Sequence, residues 1–194
     1  MGIKQLKYKT KYNIIRGDLL LDKYKYTEKE QKELLKSMGI LIDSREKKNK
    51  HITDWLDKNK IKYKKQKLHQ GDYSFYVPAS NDLNISRELH FNNDICIERK
   101  NSLEELSGNL TTKRSQFKHK LSHYKGDMLL LIENGSYKDL SEGNYNTQLS
   151  ASAFVSSLHS ISLEFGVPFI FIDSERTAQF LYLTFYYYLR NLIK

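Results

Sequence analysis

The chain has 194 residues, with 32 lysines and arginines against 23 acidic residues and a formal net charge of +9. This length suits one domain with an extension, and the charge favours nucleic acid or an anionic membrane surface as partner. The single cysteine excludes an internal disulfide, and neither a bilayer-spanning run nor a signal-peptide core is present. We therefore expect a soluble intracellular protein with no membrane partner, in the cytoplasm, nucleus or nucleoid, or in a host cell if the chain is viral.

Residues 1–37 form a predicted basic N-terminal extension, with ten lysines and arginines, five acids and interleaved tyrosines. Charge and aromatic rings together suit phosphate neutralisation and stacking on exposed bases. The alternative is a solvated extension that packs its tyrosines on the core. Thr27 as N-cap and Glu30 as the partner in a capping box predict a short helix that ends at Gly39.

Residues 38–194 are predicted to form one α/β domain, in which strands alternate with helices. Strands are predicted at 40–43, 61–68, 73–77, 94–99, 128–133 and 169–173, and helices at 51–59, 102–110, 113–124, 148–165 and 175–194. The second strand is rich in lysine, which is typical of a sheet edge. The third and fourth are expected to pair as a hairpin across a long polar loop, and a Gly/Ser/Asn loop follows the fifth. Mixed strands with helices on both sides predict a layered α/β fold.

Three short motifs carry polar residues at strand ends. They read GILIDSRE at 39–46, HQGDYSFYV at 69–77 and DICIERK at 94–100. Side chains alternate along a strand, so Glu98 and Lys100 point the same way. Gly71 permits a tight turn that brings Asp72 alongside. Carboxylates are the hard oxygen ligands that Mg²⁺ prefers, so Asp72 and Glu98 are predicted metal ligands, and Lys100 would stabilise charge on a phosphate.

The first motif adds three candidate catalytic residues. Asp43 could hold a second metal ion, Arg45 could clamp a phosphate, and Glu46 could hold that arginine in place. Each motif also has a simpler interpretation. A Gly-Asp pair is usually a turn, ERK a solvated strand end with an ion pair, and DSRE the cap of a following helix. Their order, spacing and common position at strand ends favour a functional site.

Taken together, IDSRE, GDY and ICIERK followed by a helix resemble the nuclease motif of the XPF family of structure-specific endonucleases. The resemblance extends from about residue 40 to the C-terminus. It implies a restriction-endonuclease-like fold of the PD-(D/E)XK type, a mixed β-sheet flanked by helices. Asp72 and Glu98 match the metal ligands and Lys100 the motif lysine, while Asp43, Arg45 and Glu46 match upstream site residues. The implied cofactor is Mg²⁺, with Mn²⁺ as a substitute.

The chain departs from the family pattern at three places. Glu104 stands where the family usually has an aspartate, and the loop between residues 77 and 94 is longer than usual and is expected to be a substrate-contacting flap. The tandem helix-hairpin-helix domain that typically follows is not in this sequence. A partner protein that supplies further DNA binding is therefore a possible component.

Basic residues near the motifs are the predicted DNA contacts. They are Arg114, Lys113 and Lys118 on a basic helix and Lys64 and Lys67 beside the site. On the same helix, His119 and His123 are four residues apart, which suits either a shared metal or a solvated, DNA-facing helix. The apolar helix around residues 180–190 is either a core helix or, as the resemblance implies, the homodimer interface.

The predicted function is a Mg²⁺-dependent DNA endonuclease that hydrolyses phosphodiester bonds in branched or flapped DNA during repair, recombination or replication. The first alternative is a Holliday-junction resolvase or restriction-type nuclease on the same fold. The second is a catalytically silent DNA-binding subunit, which the intact Asp72, Glu98 and Lys100 argue against.

Overall fold

The structure, a computed structural model, describes Leu21 and residues 25–194. The elements, in chain order, are α1 (Glu28–Ser37), β1 (Gly39–Asp43), α2 (Lys50–Lys58), β2 (Tyr63–Gln66), β3 (Tyr73–Val77), β4 (Leu89–His90), β5 (Ile95–Lys100), α3 (Leu103–Leu110), α4 (Arg114–His123), β6 (Asp127–Glu133), α5 (Tyr137–Glu142), α6 (Ala151–Phe165), β7 (Phe169–Ile172) and α7 (Ser174–Leu192). The predicted basic arm lies mostly outside the described residues.

Within the described part of the chain, seven strands form one mixed sheet with the order β2-β1-β3-β5-β6-β7, and β4 pairs with β3. β1 is parallel to β2, β5 to β6 and β6 to β7, whereas β3 is antiparallel to both β1 and β5. The predicted mixed sheet flanked by helices is confirmed, as is the edge position of the lysine-rich strand β2. Because β3 runs against both neighbours, its start lies at the same end of the sheet as the ends of β1 and β5.

Helices cover both faces of the sheet. On the first face, which we call the α7 face, Ile42, Tyr73 and Ile97 belong to one buried core with residues of α1, α2 and α7. On the second, which we call the α4 face, Cys96 and Leu130 belong to another core with residues of α3, α4, α5 and α6. This division follows from the alternation of side chains along each strand, which places Glu98 and Lys100 on the α4 face beside Cys96.

Helix α1 begins as predicted and ends differently. Thr27 Oγ1 accepts a hydrogen bond from the Glu30 N–H at 3.3 Å, and Glu30 accepts one from the Thr27 N–H at 2.7 Å, which completes the capping box. The prediction that Gly39 closes the helix is wrong, because the helix ends at Ser37 and Gly39 begins β1. Gly39 instead makes room for the ring of Tyr76, which a Cβ there would meet at 2.3 Å.

Two other predicted segments differ from the structure. The Gly/Ser/Asn loop after β6 contains a short helix, α5, which Ser136 and Asp139 begin with a second capping box. The long loop after β3 contains the strand β4, and its residues Leu83 and Ile85 are buried in the core of the α7 face. β3 and β5 pair as predicted, with Tyr73 opposite Ile97. Within the described residues, no helix is long and apolar enough to cross a membrane.

Candidate functional site

Backbone hydrogen bonds bring the three predicted acidic residues to one end of the sheet. The Asp43 N–H donates to the Asp72 carbonyl at 2.8 Å, and the Asp72 N–H donates to the Ile97 carbonyl at 2.8 Å. The Asp72 carboxylate in turn accepts a hydrogen bond from the Arg99 N–H at 2.7 Å. These bonds hold the turn before β3 between the ends of β1 and β5, so Asp72 lies beside the strand that carries Glu98.

Gly71 is what allows this turn to lie so close to β5. Its φ is +69°, in the left-handed region, and a Cβ there would lie 2.6 Å from the Cβ of Cys96. A side chain at this position would therefore push the turn away from β5 and strain its backbone. The predicted role of Gly71, to permit a tight turn next to Asp72, agrees with both observations.

Glu98 is buried on the α4 face and is paired with two lysines. Its Oε1 accepts a hydrogen bond from Lys100 Nζ at 2.8 Å, and its Oε2 accepts one from Lys120 Nζ of helix α4. Burial alone would raise the pKa of Glu98, but the charges of Lys100 and Lys120 and their hydrogen bonds outweigh it and lower that pKa. Glu98 is therefore held as a carboxylate inside the protein.

Asp72 behaves in the opposite way. Burial, and then the negative charge of Glu98, raise the pKa of Asp72 to about 7, although Lys120, Lys100 and the Arg99 N–H act against that rise. A buried carboxyl group next to a second, ionised carboxylate keeps its proton to a higher pH. A divalent cation bound beside Asp72 would favour the ionised form of Asp72.

Asp43 is engaged on both carboxylate oxygens. Oδ1 accepts hydrogen bonds from the Arg45 N–H at 2.7 Å and from Arg45 Nε at 2.8 Å, while Oδ2 accepts from Arg45 Nη2 and the Leu68 N–H, each at 2.8 Å. Burial would raise the pKa of Asp43, but these hydrogen bonds outweigh it and lower that pKa. The contacts fix the guanidinium, which also donates to the Leu68 carbonyl at 2.8 Å.

Arg45 nevertheless remains available to a ligand, because 61% of its side chain is exposed. The hydrogen bond to Asp43 raises the pKa of Arg45 above its usual value, and the charges of Asp72 and Glu98 act in the same direction. Arg45 therefore lies within electrostatic reach of both carboxylates, as a fixed positive charge at the edge of the site.

Glu46, which was predicted to hold Arg45 in place, instead contacts Arg99. Its Oε1 accepts a hydrogen bond from Arg99 Nη2 at 3.0 Å, and the same nitrogen donates to the Lys48 carbonyl at 2.7 Å. Arg99 Nη1 pairs with buried Glu133, whose Oε1 lies 3.0 Å from His51 Nε2. Glu46 thus belongs to a buried ionic network on the α7 face, which attaches the loop after β1 to β5 and β6.

The acidic residue near Lys100 on helix α3 is Glu105. Glu105 Oε1 lies 3.8 Å from Lys100 Nζ, and its Oε2 accepts a hydrogen bond from the Asn101 N–H at 3.0 Å. Glu104 is exposed and accepts from the Asn146 N–H at 3.0 Å, a contact that lowers its pKa.

The basic residues predicted to contact DNA lie on two sides of the carboxylates. On α4, Arg114 donates to the Leu110 carbonyl at 3.2 Å and Lys118 pairs with Glu164 at 2.8 Å, while exposed Lys113 precedes the helix. On the other side, Lys64 of β2 pairs with Glu88 at 2.5 Å, and Lys67 is exposed just after that strand. Next to the site, a groove of about 480 Å³ is lined by Arg45, Lys47, Lys48, Ser102 and others.

Lys120 and Glu105 are the site residues that the sequence predictions did not include. Lys120 stood among several lysines of a basic helix, with no local feature to distinguish it. Glu105 is adjacent to Glu104, and only the direction of helix α3 decides which of the two faces Lys100. The residues of the three motifs were predictable because their spacing along strands and turns is local.

Asp72 and Glu98 together suit one hard divalent cation. Mg²⁺ is usually bound through one or two carboxylates and keeps several waters. Among the described residues, no group of three or more histidine, cysteine or acidic side chains lies together as a possible metal site. Asp72 and Glu98 fit this mode. Asp43 does not supply a free third carboxylate, because each of its two oxygens already accepts two hydrogen bonds from Arg45 and Leu68.

The sequence model of the ERCC4 domain family matches residues 42–184. No curated protein matches the chain in sequence. Among solved structures, XPF from Aeropyrum pernix is similar with a TM-score of 0.54 and 16% identity, over 75% of this chain and 59% of that chain. XPF from the same organism in complex with DNA is similar with a TM-score of 0.53 and 16% identity, over 79% of this chain and 63% of that chain. The resemblance read from the three motifs is confirmed.

Proposed function

Because the chain belongs to the ERCC4 domain family, we propose that it is a metal-dependent DNA endonuclease of the XPF type. The observation that carries the proposal is the proximity of Asp72 to the paired Glu98 and Lys100 at one end of the sheet. Burial, and then the charge of the ionised Glu98, raise the pKa of Asp72, and a bound cation would favour its carboxylate form. Perturbed carboxylates of this kind are typical of catalytic sites.

Asp72 and Glu98 would hold the cation, with Mg²⁺ as the proposed species and Mn²⁺ as a substitute. The bound cation supplies neutralisation of phosphoryl charge and activation of a water. Lys100 is the proposed electrostatic partner of the reacting phosphate, because its buried ammonium is fixed by Glu98 at 2.8 Å and needs no reorganisation. Burial alone would lower the pKa of Lys100, but the charge of Glu98, and then that of Asp72, outweigh it and raise that pKa, so Lys100 stays cationic.

Asp43 and Arg45 are proposed to act together on the DNA backbone. Four hydrogen bonds with Arg45 and Leu68 use both oxygens of Asp43, so we assign Asp43 a positioning role in place of a metal site. Arg45, thus oriented, would bind a phosphate next to the reacting one. Glu46 would act indirectly, because it fixes the loop that carries Arg45.

The proposed substrate is branched or flapped DNA. A fold shared with an XPF structure in complex with DNA supports DNA as the partner. Lys113, Arg114 and Lys118 on one side of the site, with Lys64 and Lys67 on the other, would neutralise backbone phosphates on both flanks. The chain spans about three fifths of the length of those XPF chains. A partner protein that adds DNA-binding surface is also part of the proposal.

A homodimer through α7 is also proposed. The buried side of this helix carries Leu181 and Phe185, yet 40% of Leu183 and 50% of Tyr187 is exposed. The neighbouring edge strand β7 is half-buried along its whole length. Exposed apolar and aromatic side chains beside an unpaired strand edge are a surface that a second copy would cover.

Cleavage of an end-labelled panel of flaps, forks, four-way junctions and plain duplex, with Mg²⁺ or with EDTA, tests the proposal. We expect Mg²⁺-dependent cutting near the branch point of flaps and forks. Asp72→Ala and Glu98→Ala should abolish it while DNA binding persists, because each removes a ligand of the cation. Glu104→Gln is the matched control, since this acidic side chain bonds to Asn146 and should be dispensable.

The same panel separates the rival functions. Preferred symmetric cutting of four-way junctions would indicate a resolvase, and cutting of plain duplex at fixed sequences a restriction-type nuclease. Tight binding of branched DNA with no cutting under Mg²⁺ or Mn²⁺ would indicate a silent DNA-binding subunit. Undiminished cutting by Glu98→Ala would contradict the assignment of the site.

A further inference from the structure

Lys120 donates a hydrogen bond to the oxygen of Glu98 that Lys100 does not contact. Lys100 Nζ donates to Oε1 at 2.8 Å, and Lys120 Nζ donates to Oε2 from helix α4 on the far side of the site. Both oxygens of this buried carboxylate are thus capped by ammonium groups. A divalent cation shared with Asp72 would use at least one of these oxygens and would then lie next to an ammonium group. Each oxygen keeps a second lone pair, but the repulsion between the two positive charges favours the withdrawal of one lysine.

The structure distinguishes the lysine that stays from the lysine that leaves. Only 7% of the Lys100 side chain is exposed, and its ammonium also has Glu105 at 3.8 Å and the ring of Phe117 at 5.5 Å. Lys120 has 31% of its side chain exposed and reaches inward from the surface of α4. A lysine on a flexible four-carbon stem can withdraw its ammonium into water, where it is strongly hydrated. Lys100 has no such route.

We propose that Lys120 is a displaceable counter-ion, whose ammonium occupies the place at Glu98 Oε2 that the divalent cation takes. This inference rests on the proposed function, because it presupposes the cation site at Asp72 and Glu98. It assigns Lys120 a role distinct from that of its neighbours on α4. Lys120 keeps the buried carboxylate neutralised before the cation arrives, and the cost of displacing it weakens the affinity of the site for the cation.

Titration of the full-length protein with Mn²⁺, in the absence of DNA, tests this competition. Electron paramagnetic resonance of the free ion gives the dissociation constant directly. We expect Lys120→Met to tighten Mn²⁺ binding by about ten- to hundredfold, the range that corresponds to one lost hydrogen bond between charged groups. Lys120→Arg keeps the charge and should bind Mn²⁺ about as weakly as the wild type. Glu98→Ala should abolish this binding.

Lys118→Met is the matched control. It removes the same charge from the same helix, but Lys118 pairs with Glu164 at 2.8 Å on the outer side. A purely long-range effect of charge would tighten Mn²⁺ binding equally in both variants, and that result would overturn the proposal. Tightening confined to Lys120→Met would support it.

The melting temperature is a second measurement, which remains informative if Lys120→Met folds poorly without metal. Lys120→Met leaves Glu98 Oε2 without its partner, so its melting temperature in EDTA should fall and should rise more with Mn²⁺ than that of the wild type. Equal Mn²⁺ affinity in the wild type and Lys120→Met would refute the counter-ion role and leave the cation site intact. Absence of Mn²⁺ binding in both would instead refute the site itself, and the proposed function with it.

Discussion

Replacement of Asp72 by asparagine should stabilise the metal-free protein while it removes the proposed activity. The pKa of Asp72 is raised from 3.8 to about 7 by burial and by the charge of Glu98. In the unfolded chain the same group titrates near its ordinary value. Between about pH 4 and pH 7 the folded protein therefore binds more protons than the unfolded one, so its stability falls as the pH rises and stays low above that window.

The magnitude follows from the size of this shift. A shift from 3.8 to about 7 is about three pH units, and at about 1.4 kcal/mol each this amounts to at most about 4 kcal/mol at pH 8. An asparagine carries no charge at any pH in this range, and its amide oxygen can still accept the hydrogen bond from the Arg99 N–H. We expect Asp72→Asn to be about 2–4 kcal/mol more stable than the wild type at pH 8 and about equal near pH 4.

Urea denaturation in EDTA at several pH values between 4 and 8 measures this difference. Asp43→Asn is the matched control with the opposite sign. Hydrogen bonds from Arg45 lower the pKa of Asp43 against the effect of burial, so that carboxylate stabilises the fold above pH 4 and the stabilisation is lost on acidification. Asp43→Asn should thus be less stable than the wild type at pH 8. A less stable Asp72→Asn at pH 8, or a difference that does not change with pH, would refute the electrostatic reasoning about the site.

Four further predictions concern catalysis, stability, assembly and DNA binding. Lys100→Ala should lower the single-turnover cleavage rate by about 10² or more, the loss expected for one preorganised charge, and a rate within a few-fold of wild type would contradict its role. Glu133→Gln should cost about 3 kcal/mol of unfolding free energy in urea, because it leaves a buried guanidinium underpaired, whereas Asp54→Asn, in an exposed pair, should cost about 0.5 kcal/mol or less. Leu183→Glu should convert a homodimer into a monomer by light scattering, and a monomeric wild type at micromolar concentration would rule out the dimer. Deletion of residues 1–20 should weaken DNA binding and reduce its log–log salt slope by about 0.7 to 0.9 per lost phosphate contact, and an unchanged slope would exclude a DNA-binding arm.

Local spacing in the sequence determined much of the fold and the central part of the site. The alternation of side chains along β5 places Glu98 and Lys100 on one face, and this holds whichever strands pair with β5. The glycine before Asp72 indicated a tight turn, and the capping box of Thr27 and Glu30 marked the start of α1. These features depend on backbone geometry over a few residues, so a short stretch of sequence contains all the information that they need.

The partners of these groups were decided only by the tertiary structure. Lys120 reaches Glu98 because α4 packs over β5, and nothing in its own sequence neighbourhood distinguishes it from Lys118. Asp43 receives three of its four hydrogen bonds from Arg45, two residues along the chain, and only the fourth, from the Leu68 N–H, depends on the tertiary structure. Burial and charge pairing depend on segments that are distant in sequence and adjacent only after folding. The sequence therefore determined which groups carry the chemistry, and the packing of helices on the sheet decided their charge, their partners and their access to a cation.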